Sequence, residues 1–171
     1  MDNLLKAFLR SDHAGEVGAV YIYRGILKIA KDPELVNFSK RHLATEESHL
    51  QKIEGVLPKK DRSKLVWLWK VAGFLLGFLP TLFGPKIVFA TIEAVEAFVE
   101  EHYEEQLKYL RAQPNPNQEP IDLLQSCQDD EIDHKLESAE KKNLTPGIFI
   151  NIWTKIVGGG SAFAVKVAKI I

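Results

Sequence analysis

Two Glu-x-x-His pairs constrain this chain more than any other feature: Glu46-Glu47-Ser48-His49 and Glu131-Ile132-Asp133-His134. Residues at i and i+3 lie on one face of a helix, about one turn apart. A carboxylate and an imidazole so placed can serve one metal centre. Each pair is preceded by a lone glutamate one hairpin earlier. Glu16 lies 30 positions before Glu46, and Glu96 lies 35 before Glu131. The chain thus carries an internal repeat of two helical hairpins, each offering Glu and then Glu-x-x-His.

The periodicity elsewhere agrees with helices, and β-type alternation is scarce. A first helix is predicted from about Leu4 to Lys31. Asp32-Pro33 starts a second, with Asp32 as N-cap and Pro33 at the first helical position, running to about Val56. A third runs from about Pro85 to Ala112. Gln113-Pro114-Asn115-Pro116-Asn117 ends it, since two prolines so close cannot continue a helix. A fourth runs from about Glu119 to Asn143. Thr145-Pro146 is read as the capped start of a segment to about Val157. Gly158-Gly159-Gly160 is expected to interrupt that segment before a C-terminal run, Ser161 to Ile171.

Helical rise tests whether the six side chains can meet. The first turn lies near Asp32, 16 positions after Glu16 and 14 before Glu46. At about 1.5 Å per residue their heights differ by roughly 3 Å. Glu96 and Glu131 also fall near mid-helix. Four carboxylates and two imidazoles therefore come to one level. This is the arrangement already described for ferritin-like di-iron bundles, so the chain matches a known pattern. Glu46 shares a stripe with Leu35, Leu43, Leu50 and Ile53, whereas Glu47 falls with Lys40, Gln51 and Glu54. Glu96 falls with Phe89, Ile92, Val99, Tyr103 and Leu110. Four buried acids without a cation would be very costly. The oxygen-rich set suits iron or manganese better than zinc.

The expected fold class is all-α: one ferritin-like four-helix bundle over residues 1–171, with an added apolar interfacial helix and C-terminal helical segments. The stretch Val71–Pro85 has no charged residue. A spanning helix needs roughly 20 apolar residues, and this run is shorter and broken by Pro80. It reads as an interfacial or re-entrant element inside a crossover, residues 63–89. A buried core helix followed by a turn is the plainer alternative. Trp67 with Lys64 and Lys70 makes an interface-anchor pattern.

Other residues draw weaker expectations. His13 is read as structural, His42 as a surface histidine, and Cys127, Tyr21 and Tyr109 as packing residues. Lys155, Lys166 and Lys169 form a solvated or membrane-facing basic set. With 22 basic against 23 acidic residues and no strong basic run, no nucleic-acid partner is expected. The single cysteine excludes an intrachain disulfide, which fits a reducing compartment. Met1-Asp2-Asn3-Leu4-Leu5 lacks the basic and apolar regions of a signal peptide, so no cleavable leader is expected.

The run Arg10-Ser11-Asp12-His13-Ala14-Gly15-Glu16 resembles the opening motif of the demethoxyubiquinone hydroxylases. The Glu46 and His49 pair, Val95-Glu96 followed by His102-Tyr103, and the Glu131 and His134 pair fall in the order of that family. The resemblance runs from Leu4 to at least Phe163. It implies a monooxygenase that inserts one oxygen atom into the ring of 5-demethoxyubiquinone, late in ubiquinone biosynthesis. It implies two iron ions per chain, O2 as co-substrate and NADH as reductant. Carried over, Glu16, Glu46, His49, Glu96, Glu131 and His134 are the metal ligands, with Glu46 and Glu96 as bridges. Asp12 and Asp130 would orient the imidazoles. His102 and Tyr103 match a pair proposed to relay electrons. The family often has a second histidine where this chain has Glu101. Implied partners are a membrane-embedded isoprenoid quinone, the membrane surface, a lipid-binding accessory protein of the pathway and a second copy of the chain. The implied location is peripheral, on the cytoplasmic face of a bacterial cell membrane or the matrix face of the mitochondrial inner membrane. The alternative from another class is a ferritin-like or rubrerythrin-like iron or peroxide handler. Such proteins are more polar between the hairpins, and rubrerythrins add a cysteine-rich site that one cysteine cannot build. A tRNA-modifying di-iron hydroxylase would favour a basic face, and a non-catalytic membrane scaffold is the blandest reading.

Overall fold

The computed structural model describes residues 2–143 and 147–171. Among the described residues six α-helices follow one another: α1 (Asn3–Ile29), α2 (Pro33–Val56), α3 (Val66–Thr81), α4 (Pro85–Arg111), α5 (Gln118–Lys142) and α6 (Ile148–Ala168). No strand occurs among the described residues. The chain is all-α, and α1, α2, α4 and α5 form the four-helix bundle.

Local chemistry sets the helix ends. Asp2 and Asp32 cap α1 and α2 by accepting from the backbone N–H of Leu5 and Leu35, each at 2.8 Å. Gly84 turns the chain into α4 with φ +100, a left-handed value that favours glycine, and Pro85 opens the helix. Asn117 caps α5, and Asn143 closes it in the left-handed region.

α1 and α2 form one antiparallel hairpin, α4 and α5 the other. Their interior has three layers. One end is apolar, with Tyr23, Ile26, Leu35, Phe38, Phe89 and Ile92. The opposite end holds Leu9, Ile53, Leu57, Leu107, Leu124 and Cys127. Between them lie buried glutamates and histidines.

The crossover is a continuous helix, α3, laid along α1. A Cβ on Gly73 would stand 2.2 Å from the carbonyl oxygen of Gly18, and one on Gly77 only 1.9 Å from that of Ile22. The two backbones therefore touch directly. Pro80 sits in the last turn of α3 without breaking it. Trp69, Gly73, Gly77 and Pro80 face inward, while Trp67, Val71, Leu75 and Leu79 are exposed. The 71–85 run is thus neither wholly core nor wholly surface.

The expected break at Gly158-Gly159-Gly160 does not occur; α6 runs through it. Each glycine weakens a helix by about 1 kcal/mol against alanine. Tertiary packing overrides that preference here. Trp153 donates its indole N–H to Thr91 on α4 at 2.8 Å, and Val157 and Ala168 are buried. Arg10 donates to the carbonyls of Asp61, 2.7 Å away, and Lys169, 3.3 Å away, tying the end of α6 to α1. The Thr145-Pro146 start lies outside the described residues.

Candidate metal centre

The middle layer gathers all six predicted side chains. Glu16, Glu46, His49 and Glu131 each offer one donor atom within 4.8 Å of the others. Glu46, Glu96, Glu131 and His134 form a second such group. Every member is buried. Glu46 and Glu131 belong to both groups, and Glu96 to one. The central pair is therefore Glu46 and Glu131, the two carboxylates of the Glu-x-x-His motifs, and not Glu46 and Glu96. Both are placed one turn before a histidine and so at the shared level of the two hairpins.

The donor atoms face a common space more than one another. His49 Nδ1 stands 3.2 Å from Glu131 Oε1 and 3.7 Å from both Glu16 Oε2 and Glu46 Oε2. His134 Nδ1 stands 3.2 Å from Glu46 Oε1 and 3.3 Å from Glu131 Oε2. Yet both Nδ1 atoms, both Glu46 oxygens, Glu16 Oε2 and Glu131 Oε2 make no hydrogen bond. Buried polar atoms are rarely left so. Six such atoms converging on two adjacent points are what a pair of hard cations would satisfy, and iron or manganese suits carboxylate with imidazole. The residues fit the metal pair.

Electrostatics carry the same strain. Burial raises the Glu16 carboxyl to about 8. Burial, then the Glu131 and Glu46 carboxylates, push Glu96 well above the ordinary range. Burial also opposes ionisation of Glu46, but the His134 and His49 imidazoles close beside it outweigh this and bring Glu46 to about 2. Burial lowers His134, and Glu131 and Glu46 more than reverse this, to about 10. His49 is raised further by Glu131, Glu16 and Glu46 against the same burial. Without a cation, protons hold the acids together.

The surroundings correct two expectations and place the rest. Asp130 does meet an imidazole: His49 Nε2 lies 2.9 Å from its Oδ2. Asp12 does not. It accepts from Gln106 at 2.7 Å and lies 3.2 Å from His102 Nε2, because α1 turns it toward α4 and away from His49 and His134. His42 is not a surface histidine; it is 2% exposed. It stacks on His134 with ring centroids 3.9 Å apart. The signal was present, since His42 lies four positions before Glu46 and seven before His49, on the same helical face. His13 stays outside both groups, 3.2 Å from Glu54. Tyr103 donates its hydroxyl to Glu16 at 2.6 Å. His102 faces Ser11, 3.1 Å away, and Glu101 is exposed.

A cavity of about 350 Å³ reaches this layer. Glu16, Glu96 and Glu131 lie at its floor, with His102 and Tyr103 beside them. Its walls are apolar: Trp69, Gly73 and Leu76 of α3, and Trp153, Val157 and Ala164 of α6 among them.

A sequence profile of the family described as "Ubiquinone biosynthesis protein COQ7" matches residues 3–168. The chain belongs to this family. Among curated COQ7-like relatives, the Rhodospirillum rubrum "3-demethoxyubiquinol 3-hydroxylase" is 36% identical over 77% of this chain and 62% of its own length. The Caenorhabditis elegans "NADPH-dependent 3-demethoxyubiquinone 3-hydroxylase, mitochondrial" is 32% identical over 77% of this chain and 72% of its own. The Saccharomyces cerevisiae "5-demethoxyubiquinone hydroxylase, mitochondrial" is 34% identical over 80% of this chain and 65% of its own. The chain thus spans between 62% and 72% of the length of these relatives.

Proposed function

We propose that this chain is an oxygen-dependent monooxygenase that hydroxylates the ring of a demethoxyubiquinone in ubiquinone biosynthesis. The observation that carries the reading is the cavity: apolar walls that end on carboxylates. An isoprenoid quinone needs an apolar passage, and a hydroxylase needs that passage to end at a metal pair. A ferritin-like storage role needs no such passage. The names of the relatives point to the same substrate class.

Two irons would be held by Glu16, Glu46, His49 and Glu131 on one side and Glu46, Glu96, Glu131 and His134 on the other. When bound, they supply the activation of O2, using electrons from a reduced nicotinamide nucleotide. NADH is the reductant implied by the family resemblance, and NADPH stands in the nematode relative's name. The chain's own contribution is positional. Apolar side chains exclude water from the cavity, and Asp130 holds His49 in one tautomer. Tyr103 fixes one oxygen of Glu16 and leaves the other facing the centre. Tyr103 bonds Glu16, and its neighbour His102 lines the same cavity, which supports a relay of electrons toward the metals through this pair.

The quinone would enter from a membrane surface. α6 is long and apolar enough to cross a bilayer by length and composition. It lies along α4 instead, tied at its C-terminal end through Arg10, so its exposed Phe149, Ile152, Ile156 and Phe163 suit a peripheral contact. The exposed row on α3 adds to that surface. The site would then face the bacterial cytoplasm or, in a mitochondrion, the compartment named in the eukaryotic relatives, the matrix side that the family resemblance implies.

The test is the quinone profile of cells lacking the gene. The demethoxy precursor should accumulate, and purified iron-loaded protein should convert it with O2 and NADH. A normal profile, or an earlier intermediate, would overturn the reading.

A further inference from the structure

The two imidazoles are braced by different means. His49 turns Nδ1 inward and its Nε2 meets the Asp130 carboxylate at 2.9 Å. A carboxylate behind an imidazole fixes its orientation and raises its basicity as a ligand. His134 also turns Nδ1 inward, and both of its carboxylate contacts are made through that atom. Its ring is backed instead by the face of His42, at 3.9 Å between centroids and 26° between planes.

His42 is itself immobilised on every side. Phe38 covers its other face at 3.9 Å. Its Nδ1 meets the Tyr23 hydroxyl at 3.2 Å, and its Nε2 meets Glu137 Oε2 at 2.9 Å. Arg41 then donates to Glu137 Oε1 at 2.6 Å. Tyr23 lies on α1, Phe38, Arg41 and His42 on α2, and His134 and Glu137 on α5. The line crosses three helices and ends on the ring of one candidate ligand. Buried rings and hydrogen-bonded polar groups of this kind hold a site far better than an isolated contact.

We propose that His42, held by Tyr23 and Glu137, is a positioning residue for His134 and thereby for one metal position alone, that of Glu46, Glu96, Glu131 and His134. This rests on the metal-centre reading above. The other position, on His49, depends on Asp130 and not on His42.

Anaerobic titration of metal-free full-length chain with Co(II) tests it, read by the visible spectrum and by metal content. Wild type should take two Co(II). His42→Ala should keep one site unchanged and weaken the other by about tenfold or more. His42→Phe, which restores a ring face, should recover most of the loss. Glu96→Ala identifies the affected site. Adding His42→Ala to Glu96→Ala should change nothing further, whereas adding Asp130→Asn should weaken the remaining site. Two unperturbed sites in His42→Ala would overturn the proposal, as would equal weakening of both. A further loss in the His42→Ala, Glu96→Ala double variant would also overturn it, since His42 would then act through general packing. Wild type that binds no Co(II) would instead overturn the metal-centre reading on which it stands.

Discussion

The hydroxyl of Tyr103 on α4 donates to Oε1 of Glu16 on α1 across 2.6 Å, joining the two hairpins beside the metal layer. Tyr103→Phe keeps the ring and removes only this bond. Iron content should stay intact while NADH-driven reduction of the irons, followed by stopped-flow absorbance, slows sharply. Chemically reduced protein should still hydroxylate once. An unchanged reduction rate would show that the tyrosine only packs and orients Glu16.

Shared and unshared carboxylates should differ when removed. Glu46→Ala and Glu131→Ala each take a donor from both groups, so both metals should be lost, and turnover with them. Glu16→Ala and Glu96→Ala each strip one group, leaving close to one iron per chain. Metal analysis of freshly prepared protein checks this. One zinc, or none of either metal, in wild type would sink it.

Removing the metals should make stability depend on pH. Glu16 is raised from 4.5 to about 8 in the folded chain, so between those values the native state holds a proton that the unfolded state has released. His134, raised from 6.5 to about 10, does the same at higher pH. In both windows stability falls as pH rises. Glu46 has the opposite sign, but its window lies between about 2 and 4.5. Metal-free protein should therefore melt at a lower temperature at pH 8 than at pH 6. Iron-loaded protein should not share that slope, because metal binding favours deprotonated ligands. Thermal melts of both forms decide it.

The glycines divide into two kinds. Gly73→Ala and Gly77→Ala force a side chain into backbone carbonyls of α1 and should destabilise by about 1–3 kcal/mol or more. Gly159 on α6 has open space around its position, so Gly159→Ala should stabilise by about 0.5–1 kcal/mol. Equal effects at Gly77 and Gly159 in denaturant titrations would contradict the α1–α3 contact.

Membrane attachment should follow exposure. Phe74 and Phe78 stack on one another and are only partly exposed, whereas Phe149 and Phe163 are open. Phe149→Ser with Phe163→Ser should lower co-sedimentation with anionic vesicles. Activity on long-tailed quinones should fall more than on short-tailed ones. Equal losses for both tails would make α6 an ordinary wall of the cavity.

The helices and the meeting of the six side chains were legible because their causes are local. Asp32-Pro33, Pro85 and the Pro114-Pro116 pair mark ends by their own chemistry, and helical rise carries Glu16 to the height of Glu46. What needed a neighbour was not legible. Leu43 and Leu50, which share a stripe with Glu46 by sequence, are only half-buried, and the buried face of α2 runs instead through His42, Glu46 and His49. Asp12 and Asp130 are equivalent as sequence, but only the second finds a metal-facing imidazole across the bundle. The glycine triplet reads as a break until α4 is there to hold α6 in place. The same holds for the central carboxylates, where Glu131 and Glu96 are told apart only by distance.

The glycine contact between α1 and α3 also sets a fixed measure. Gly18, against which Gly73 rests, is two residues from Glu16. With no side chain between the backbones, α3 cannot roll about its axis without lifting off α1. The outward row of Val71, Leu75 and Leu79 is therefore rigidly indexed to the carboxylates. If that row rests at a lipid boundary, it works as a depth gauge: the distance from the boundary to Glu16 is built into the protein and does not vary with how the bilayer moves.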